Sequence, residues 1–211
     1  MTVDDLLASG TAPIVAILRG VAPDEVLAIG EALVEADIRL IEVPFNSPDP
    51  ATSIRMLQQA FGDRAAIGGG TVLDIASVEA LAATGGTIMV TPNTNPAVIG
   101  RGVELGLEPM PGFVTPSEAF QAIAAGARRL KLFPAVAFGP AYLKAVREIL
   151  PKTVRVWAVG GTGADNLADW LAAGAEGIGV GGALYKPGDT AATVGTRARA
   201  LVAAWQAARS A

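Results

Sequence analysis

One lysine of the chain occupies a position that packing alone does not explain. In the stretch RRLKLFPAV, Lys131 stands between two leucines in a run typical of a buried strand that ends at Pro134. A charged ammonium that leaves water costs several kcal/mol unless it is paired, hydrogen-bonded or neutralised. A neutral amine, in contrast, can attack a carbonyl carbon and form a Schiff base. The position therefore predicts either a nucleophile or a buried salt bridge.

The chain contains no histidine and no cysteine, which narrows the chemistry that it could perform. This composition excludes disulfides, cysteine-based zinc sites, and the Ser-His-Asp and Cys-His triads. Proton transfer must use carboxylates, lysines, tyrosines, water or a bound ligand. The other lysines, Lys144, Lys152 and Lys186, lie in polar or turn-like segments that are typical of a solvated surface.

A repeating pattern of strands and helices must position these side chains. Short apolar runs alternate with Ala-rich amphipathic segments, many of which begin at Pro, Asp, Ser or Thr and end at Gly. A last helix is predicted over about 190–209. Eight strands are predicted at 13–19, 38–44, 65–69, 87–91, 107–111, 128–133, 154–159 and 177–180. Such alternation indicates parallel pairing through right-handed crossovers. We therefore expect a single α/β domain over residues 1–211 that forms a (β/α)8 TIM barrel, with a doubly wound open sheet as the alternative.

In such a barrel, catalytic side chains project from the C-terminal ends of the strands. Arg19 ends the first predicted strand, and Glu42 lies near the end of the second. Side chains alternate between the two faces of a strand. One face of the second predicted strand therefore carries Ile38, Leu40 and Glu42, and one face of the sixth carries Arg129, Lys131 and Phe133. Glu42 and Lys131 are then expected to point into the lumen. The two residues could form a salt bridge that only stabilises the barrel. Alternatively, Glu42 could act as a base and Lys131 as a nucleophile, with the pKa of Lys131 lowered by burial and by the charge of Arg19.

Glycine clusters follow the last two predicted strands and could bind an anion through backbone N–H groups. The clusters are GGTG at 160–163 and GVGG at 179–182, at the place where barrels frequently form a phosphate site. Either cluster alone could simply make a tight turn, but the two together favour phosphate binding. Gly177, Gly179 and Gly182 also fit G-x-G-x-x-G, yet no further βαβ unit follows, so a dinucleotide site is not expected.

A third cluster, GGGT at 68–71, follows the third predicted strand. Its amides and the Thr71 hydroxyl, together with Arg19, could hold a small carboxylate beside Lys131. The alternatives are a plain turn with Thr71 at a helix N-terminus, and a solvated or salt-bridged arginine.

The charge pattern gives no sign of a polyanionic or membrane partner. The net charge is −4, the pI is near 4.9, and the basic residues are scattered. The first residues, MTVDDLLASG, carry acidic side chains where a secretory signal would be positive, and no apolar run reaches the roughly 20 residues of a membrane span. We expect a cytoplasmic protein that binds neither nucleic acid nor membranes.

Seven strings of the sequence resemble one family when they are taken in order: PIVAILRG, IEVPFNSP, IGGGTVL, VTPN, PMPGFVTPSEA, LKLFPA and AVGGTGADNL. Over nearly the whole chain they are similar to the class I KDPG/KDPGal aldolases, and ILRG and PFNSP are most similar to the galactonate branch. The resemblance implies a homotrimeric barrel without metal or cofactor. It also implies cleavage of a phosphorylated 2-keto-3-deoxy sugar acid into pyruvate and D-glyceraldehyde 3-phosphate.

The resemblance also implies roles for residues at the catalytic end of the barrel: Lys131 as the Schiff-base residue, Glu42 as the proton shuttle, Arg19 and Thr71 as carboxylate contacts, and Gly161, Gly181 and Gly182 as phosphate contacts. The chain departs from the gluconate branch, which typically carries Thr and Arg near Pro44 and Asn46. It also has Gly182-Ala183 where relatives often have a serine. The alternatives are a 2-dehydro-3-deoxy-6-phosphogluconate (Entner-Doudoroff) or dual-specificity aldolase, a phosphosugar isomerase or epimerase, and a non-catalytic phosphometabolite-binding protein.

Overall fold

Parallel strands line a central lumen in this protein, and helices cover them on the outside. The computed structural model describes residues 1–210. Its strands are β1 (Ile14–Ile17), β2 (Leu40–Pro44), β3 (Ala66–Gly70), β4 (Ile88–Val90), β5 (Glu108–Met110), β6 (Gly112–Phe113), β7 (Arg129–Leu132), β8 (Arg155–Val159) and β9 (Gly177–Val180). Its helices are α1 (Val3–Ala8), α2 (Pro23–Glu35), α3 (Pro50–Phe61), α4 (Ile75–Ala82), α5 (Pro96–Glu104), α6 (Pro116–Ala124), α7 (Gly139–Arg147), α8 (Leu167–Ala172) and α9 (Ala191–Ser210). Within residues 1–210, no helix is both long and apolar enough to span a bilayer.

The fifth predicted strand, 107–111, is β5 and ends at Pro111, and an additional strand, β6, begins directly after this proline; this break closes the barrel. The sheet runs in the order β5-β4-β3-β2-β1-β9-β8-β7-β6 with parallel pairing. A proline has no N–H to give to a neighbouring strand, so the chain pairs with β4 before Pro111 and with β7 after it. The Pro111 carbonyl accepts a hydrogen bond from the Lys131 N–H at 2.8 Å. Since both ends of the sheet meet at Pro111, the (β/α)8 barrel is confirmed and the open sheet is wrong.

Two apolar clusters show which side chains face the helices and which face the lumen. Leu130 and Leu132 of β7 belong to the cluster that packs against the helices. Leu40 of β2 belongs to the lumen cluster. The alternation predicted from the sequence is therefore confirmed for β7 and for residues 40–43 of β2, and it places Glu42 and Lys131 on the lumen side.

Three expectations about strand ends are wrong, and each has a local cause. Ile38 lies before β2 and packs in the outer cluster, because Asp37 turns the chain at a φ of 68°. Arg19 lies beyond the end of β1, where Gly20 turns the chain at a φ of 85°. The glycines at 68–70 do not follow the third strand but form its last part.

The N-terminal helix α1, which the sequence analysis did not predict, closes the bottom of the barrel. Val3 and Leu6 of this helix are buried in the lumen cluster. A six-residue helix is too short to produce a clear hydrophobic period. The signal that could have found it is the capping box between Thr2 and Asp5, in which each side chain accepts the other's backbone N–H.

Arg129 lies at the same end of the lumen and binds several carboxylates there. Its side chain is 4% exposed and donates to Asp4 at 2.5 Å, to Glu108 at 3.0 Å and to Glu176 at 3.0 Å. Burial acts to lower the pKa of Arg129, but the hydrogen bond to Asp4 and the charges of Glu176 and Glu108 outweigh it and hold the pKa above its ordinary value. This cluster stabilises the end of the barrel opposite to the candidate site.

We expect Arg129→Met to lower the free energy of unfolding by about 2 kcal/mol, because it removes the buried cation and leaves Glu108 and Glu176 with only the exposed arginines Arg128 and Arg155 as ionic partners. Urea denaturation measures this change. Turnover per folded molecule should stay at the wild-type level, since the cluster does not touch the candidate site. A loss of turnover without a loss of stability contradicts the purely structural role of Arg129.

Candidate active site

Lys131 lies near the C-terminal end of β7 with its side chain almost fully enclosed. It is 6% exposed, and its Nζ lies 4.6 Å from the centroid of the Phe133 ring. No carboxylate oxygen of residues 1–210 lies within 4.0 Å of this nitrogen, so the salt bridge to Glu42 is not formed. Burial lowers the pKa of Lys131, the charge of Glu42 opposes this, and Arg19 lowers the pKa further. The amine is therefore closer to its neutral, nucleophilic form than an ordinary lysine.

Glu42 of β2 lines the same enclosed part of the lumen as Lys131. It is 2% exposed, and its Oε2 atom has no hydrogen-bond partner among the described residues. Burial raises the pKa of Glu42 to about 7, although the charges of Lys131 and Arg19 act in the opposite direction. A carboxyl group with this pKa can both accept and return a proton near neutral pH.

Gly70, the last residue of β3, makes the space that Glu42 occupies. A Cβ atom added to Gly70 would overlap the Glu42 carboxyl group, and one added to Gly68 would overlap the Ile88 carbonyl. These glycines pair with β2 and β4 as ordinary strand residues. Their missing side chains therefore matter for the lumen, and the predicted anion-binding loop at this position is a strand segment instead.

We expect Gly70→Ala to lower kcat by about 100-fold, because the added methyl group displaces the Glu42 carboxyl group by an ångström or more. Gly100→Ala is the matched control, since Gly100 lies in α5 with no atom near the position of an added Cβ. Steady-state kinetics should show wild-type activity for the control. Wild-type activity of Gly70→Ala would show that the position of Glu42 does not matter.

Arg19 and Thr71 lie together at the mouth of the barrel. Arg19 Nη1 donates to Asn46 Oδ1 at 2.6 Å, and Nη2 donates to Thr71 Oγ1 at 3.4 Å. Thr71 has a φ of 54°, a left-handed conformation that is rare for a β-branched residue. Thr71 is not the helix cap, because Asp74 caps α4 by accepting the Ser77 N–H. The two predicted carboxylate contacts are thus brought into one hydrogen-bonded group.

An open cavity of about 540 Å³ lies above the lumen, at the C-terminal ends of the strands. Arg19 and Phe133 line it together with the loops that follow β8 and β9. Ile17, Val159 and Gly179 line both this cavity and the enclosed space that holds Glu42 and Lys131; they connect the two. A ligand in the cavity would therefore lie directly above the amine and the carboxyl group.

The predicted phosphate contacts Gly161, Gly181 and Gly182 all line this cavity. Within residues 1–210, none of their N–H groups donates to a protein acceptor. The N–H of Gly163 differs, because it donates to Asn166 Oδ1 at 3.0 Å. The amides of Gly161, Gly181 and Gly182 are therefore available to bind an anion.

Two further side chains of the site were missed by the sequence analysis. Asp165 lines the cavity beside the glycine loop after β8, where it adds a negative charge. Asn46 binds Arg19, although the sequence analysis noted it only as a departure from relatives. Its position directly after the C-terminal end of β2 is the signal that could have found it.

The arrangement can hold a ligand that is negatively charged at both ends. Arg19 and the glycine amides all line the cavity, and each can bind an anionic group. The amine of Lys131 and the carboxyl group of Glu42 line the enclosed space that adjoins this cavity. This combination suits nucleophilic attack on a carbonyl carbon with proton transfer to and from the same ligand.

Comparison with known proteins agrees with this chemistry. The family model described as "KDPG and KHG aldolase" matches residues 5–193. The 2-dehydro-3-deoxy-6-phosphogalactonate aldolase of Escherichia coli (strain K12) is 45% identical over 92% of this chain and 95% of its own. A 2-dehydro-3-deoxy-phosphogluconate aldolase of Pseudomonas aeruginosa is 34% identical over 70% of this chain and 67% of its own. A solved structure described as native KDPGal is 45% identical, with a TM-score of 0.93 over 94% of this chain and 97% of that one. The chain therefore belongs to the KDPG and KHG aldolase family.

Proposed function

We propose that this protein is a class I aldolase that cleaves 2-dehydro-3-deoxy-6-phospho-D-galactonate into pyruvate and D-glyceraldehyde 3-phosphate, as in galactonate degradation. The observation that carries the proposal is the buried amine of Lys131 next to a carboxyl group that lacks a hydrogen-bond partner. The similarity to the galactonate relative supports the choice of substrate. The relative named 2-dehydro-3-deoxy-phosphogluconate aldolase is less similar and matches a smaller part of the chain, so the gluconate alternative is not favoured.

In this mechanism, neutral Lys131 attacks the C2 carbonyl carbon of the substrate, and loss of water from the carbinolamine gives an iminium ion. Glu42 takes the proton of the C4 hydroxyl group. The C3–C4 bond then breaks, its electron pair moves into the iminium, and the triose phosphate leaves as an aldehyde. Glu42 returns the proton to C3 of the enamine, and water releases pyruvate and the free amine. One carboxyl group with a pKa of about 7 can serve both proton transfers.

The experiment that tests this mechanism traps the Schiff base. Incubation with pyruvate and borohydride should attach a reduced three-carbon adduct to Lys131, which mass spectrometry of peptides locates. An unmodified Lys131, or an adduct on Lys144, Lys152 or Lys186, rejects the mechanism. An isomerase or epimerase that uses Lys131 only electrostatically predicts an isomerised product and no adduct, and a non-catalytic binding protein predicts binding without turnover.

The choice of substrate has its own test. The two phosphorylated epimers differ at one hydroxyl group, and coupled measurement of pyruvate release compares their cleavage directly. We expect a higher kcat/KM for the galactonate epimer. A higher value for the gluconate epimer contradicts the proposed substrate but leaves the Schiff-base mechanism in place.

Gly182→Asp tests the phosphate contacts, because it brings a negative charge to the cavity wall. The nearest atom to a Cβ at this position is Lys186 Cε at 4.0 Å, so a side chain fits. We expect an increase in KM of about 10-fold or more from charge repulsion, with a smaller change in kcat. Gly182→Ala is the matched control and should keep the wild-type KM. Equal KM values for the two variants would place the phosphate elsewhere.

We also propose that the chain forms a homotrimer, as the family resemblance implies. Val136 and Phe138 support an interface, because they are large apolar side chains that are 67% and 41% exposed. Exposed apolar patches commonly mark sites of protein association. Light scattering should give the mass of three chains of 21.4 kDa each, and the mass of a single chain contradicts the proposal.

A further inference from the structure

The loop between β2 and α3 makes two contacts with the segment that carries Arg19. Asn46 Oδ1 accepts a hydrogen bond from Arg19 Nη1 at 2.6 Å, and Ser47 Oγ accepts one from the Gly20 N–H at 2.9 Å. Ser47 is itself held in place, because its N–H donates to the Pro44 carbonyl at 2.9 Å. One loop thus contacts both the guanidinium group of Arg19 and the backbone beside it.

Arg19 needs such contacts because its own segment leaves it free to move. It lies beyond the end of β1, and its side chain is exposed. A long exposed arginine samples many rotamers, and holding it in one of them costs entropy. A guanidinium group forms two parallel hydrogen bonds with a carboxylate only when the two groups lie in about one plane and an N–H edge points at the carboxylate. A residue that fixes this plane before the ligand arrives therefore improves binding.

Asn46 suits this task because its acceptor oxygen is uncharged. Among residues 1–210, no carboxylate oxygen lies within 4.0 Å of an Arg19 nitrogen, so the positive charge of Arg19 is not paired. Asn46 and Thr71 each accept a hydrogen bond from a different terminal nitrogen, and the other N–H groups of the guanidinium stay available. An aspartate at position 46 would also orient Arg19 but would compete with the ligand for its charge.

We propose that Asn46 is a positioning residue that orients Arg19 toward the carboxylate of the substrate. This inference rests on the proposed aldolase function. The strand β2 and the loop after it then both contribute to the reaction. The strand carries Glu42, and Asn46 in the loop orients Arg19, which binds the carboxylate in the pyruvate half of the substrate. Asn46 acts through Arg19 and does not touch the reacting atoms.

The test measures how the borohydride trapping of pyruvate depends on pyruvate concentration. In the wild type, an adduct at Lys131 establishes the aldolase chemistry, and its absence rejects the proposed function rather than the role of Asn46. We expect Asn46→Ala to raise the half-saturating pyruvate concentration by about 10-fold, the usual effect of losing a hydrogen bond to a charged group, while the maximal extent of trapping stays unchanged. Asn46→Asp should raise this concentration at least as much.

A double-mutant comparison separates positioning from a structural role. Arg19→Ala alone should raise the half-saturating concentration, and adding Asn46→Ala to it should have no further effect, because Asn46 acts only through Arg19. Equal effects of Asn46→Ala with and without Arg19 would refute the inference. The inference would also be refuted if the wild type forms the adduct and Asn46→Ala shows the same dependence on pyruvate concentration as the wild type.

Discussion

Lys131→Met is expected to abolish turnover while making the protein more stable. Methionine has a similar length but cannot form a Schiff base, so kcat should fall by at least about 10⁴-fold, as it does when other enzymes lose their nucleophile. The amine is 6% exposed and forms no salt bridge within residues 1–210. Replacing a buried ionisable group by an apolar one of similar size is often stabilising, here by about 1 to 2 kcal/mol.

Two measurements check this prediction on the same preparation. Coupled pyruvate release reports turnover, and urea denaturation reports the free energy of unfolding. Lys144→Met is the matched control, since Lys144 lies in α7 and is exposed, and it should keep both wild-type values. If Lys131→Met were inactive and also much less stable, the amine would hold the barrel together, and its loss of activity would say little about chemistry.

Glu42→Gln is expected to lower kcat by about 10³-fold, because glutamine keeps the shape of the side chain but cannot transfer protons. The wild type should show kcat/KM for cleavage rising with pH around 7, as Glu42 must be ionised to accept the C4 hydroxyl proton. This rise should be absent from the remaining activity of Glu42→Gln. A variant that keeps the same pH dependence would assign the proton transfer to another group.

The same substitution should change how stability depends on pH. Folding raises the pKa of Glu42 from 4.5 to about 7, so between these values the folded protein binds more protons than the unfolded chain. The contribution of Glu42 to stability is fully present below pH 4.5 and is lost as the pH rises through 7. Glu42→Gln should therefore match the wild type near pH 4.5 and exceed its free energy of unfolding by about 3 kcal/mol at pH 8. Urea denaturation at both pH values measures the difference, and a difference that is the same at both contradicts the raised pKa.

Both substitutions remove a group that costs stability because it is kept out of water. Lys131 and Glu42 face the same enclosed space without forming an ion pair. A close ion pair would stabilise the charged forms of both groups and prevent each from changing its protonation state. The separation thus leaves the amine able to be neutral and the carboxyl group able to exchange protons.

The strands that carry these two residues could be predicted from the sequence, and so could their facing. Lumen and helix sides alternate along a strand, which is a local property of the chain. Lys131 and Glu42 could be identified because a charged residue inside an apolar strand is costly and therefore conspicuous. The glycine loops were also predictable, since their place after the last two strands follows from the barrel itself.

Other features depend on contacts between distant parts of the chain. The role of the glycines in β3 could not be predicted, because only the folded barrel places Gly70 against Glu42. The contact between Arg19 and Asn46 joins two loops that are 27 residues apart. The break between β5 and β6 at Pro111 depends on which neighbour each of these strands meets when the barrel closes.

The sequence by itself determined the alternation of strands and helices, the lumen side of Glu42 and Lys131, and the choice of Lys131 as the candidate nucleophile. These follow from local periodicity and from the cost of burying charge, which act along the chain. Only the tertiary structure decided that Lys131 and Glu42 are not paired and that Asn46 holds Arg19. Those outcomes depend on distances across the barrel, and a spacing along the chain does not fix such distances.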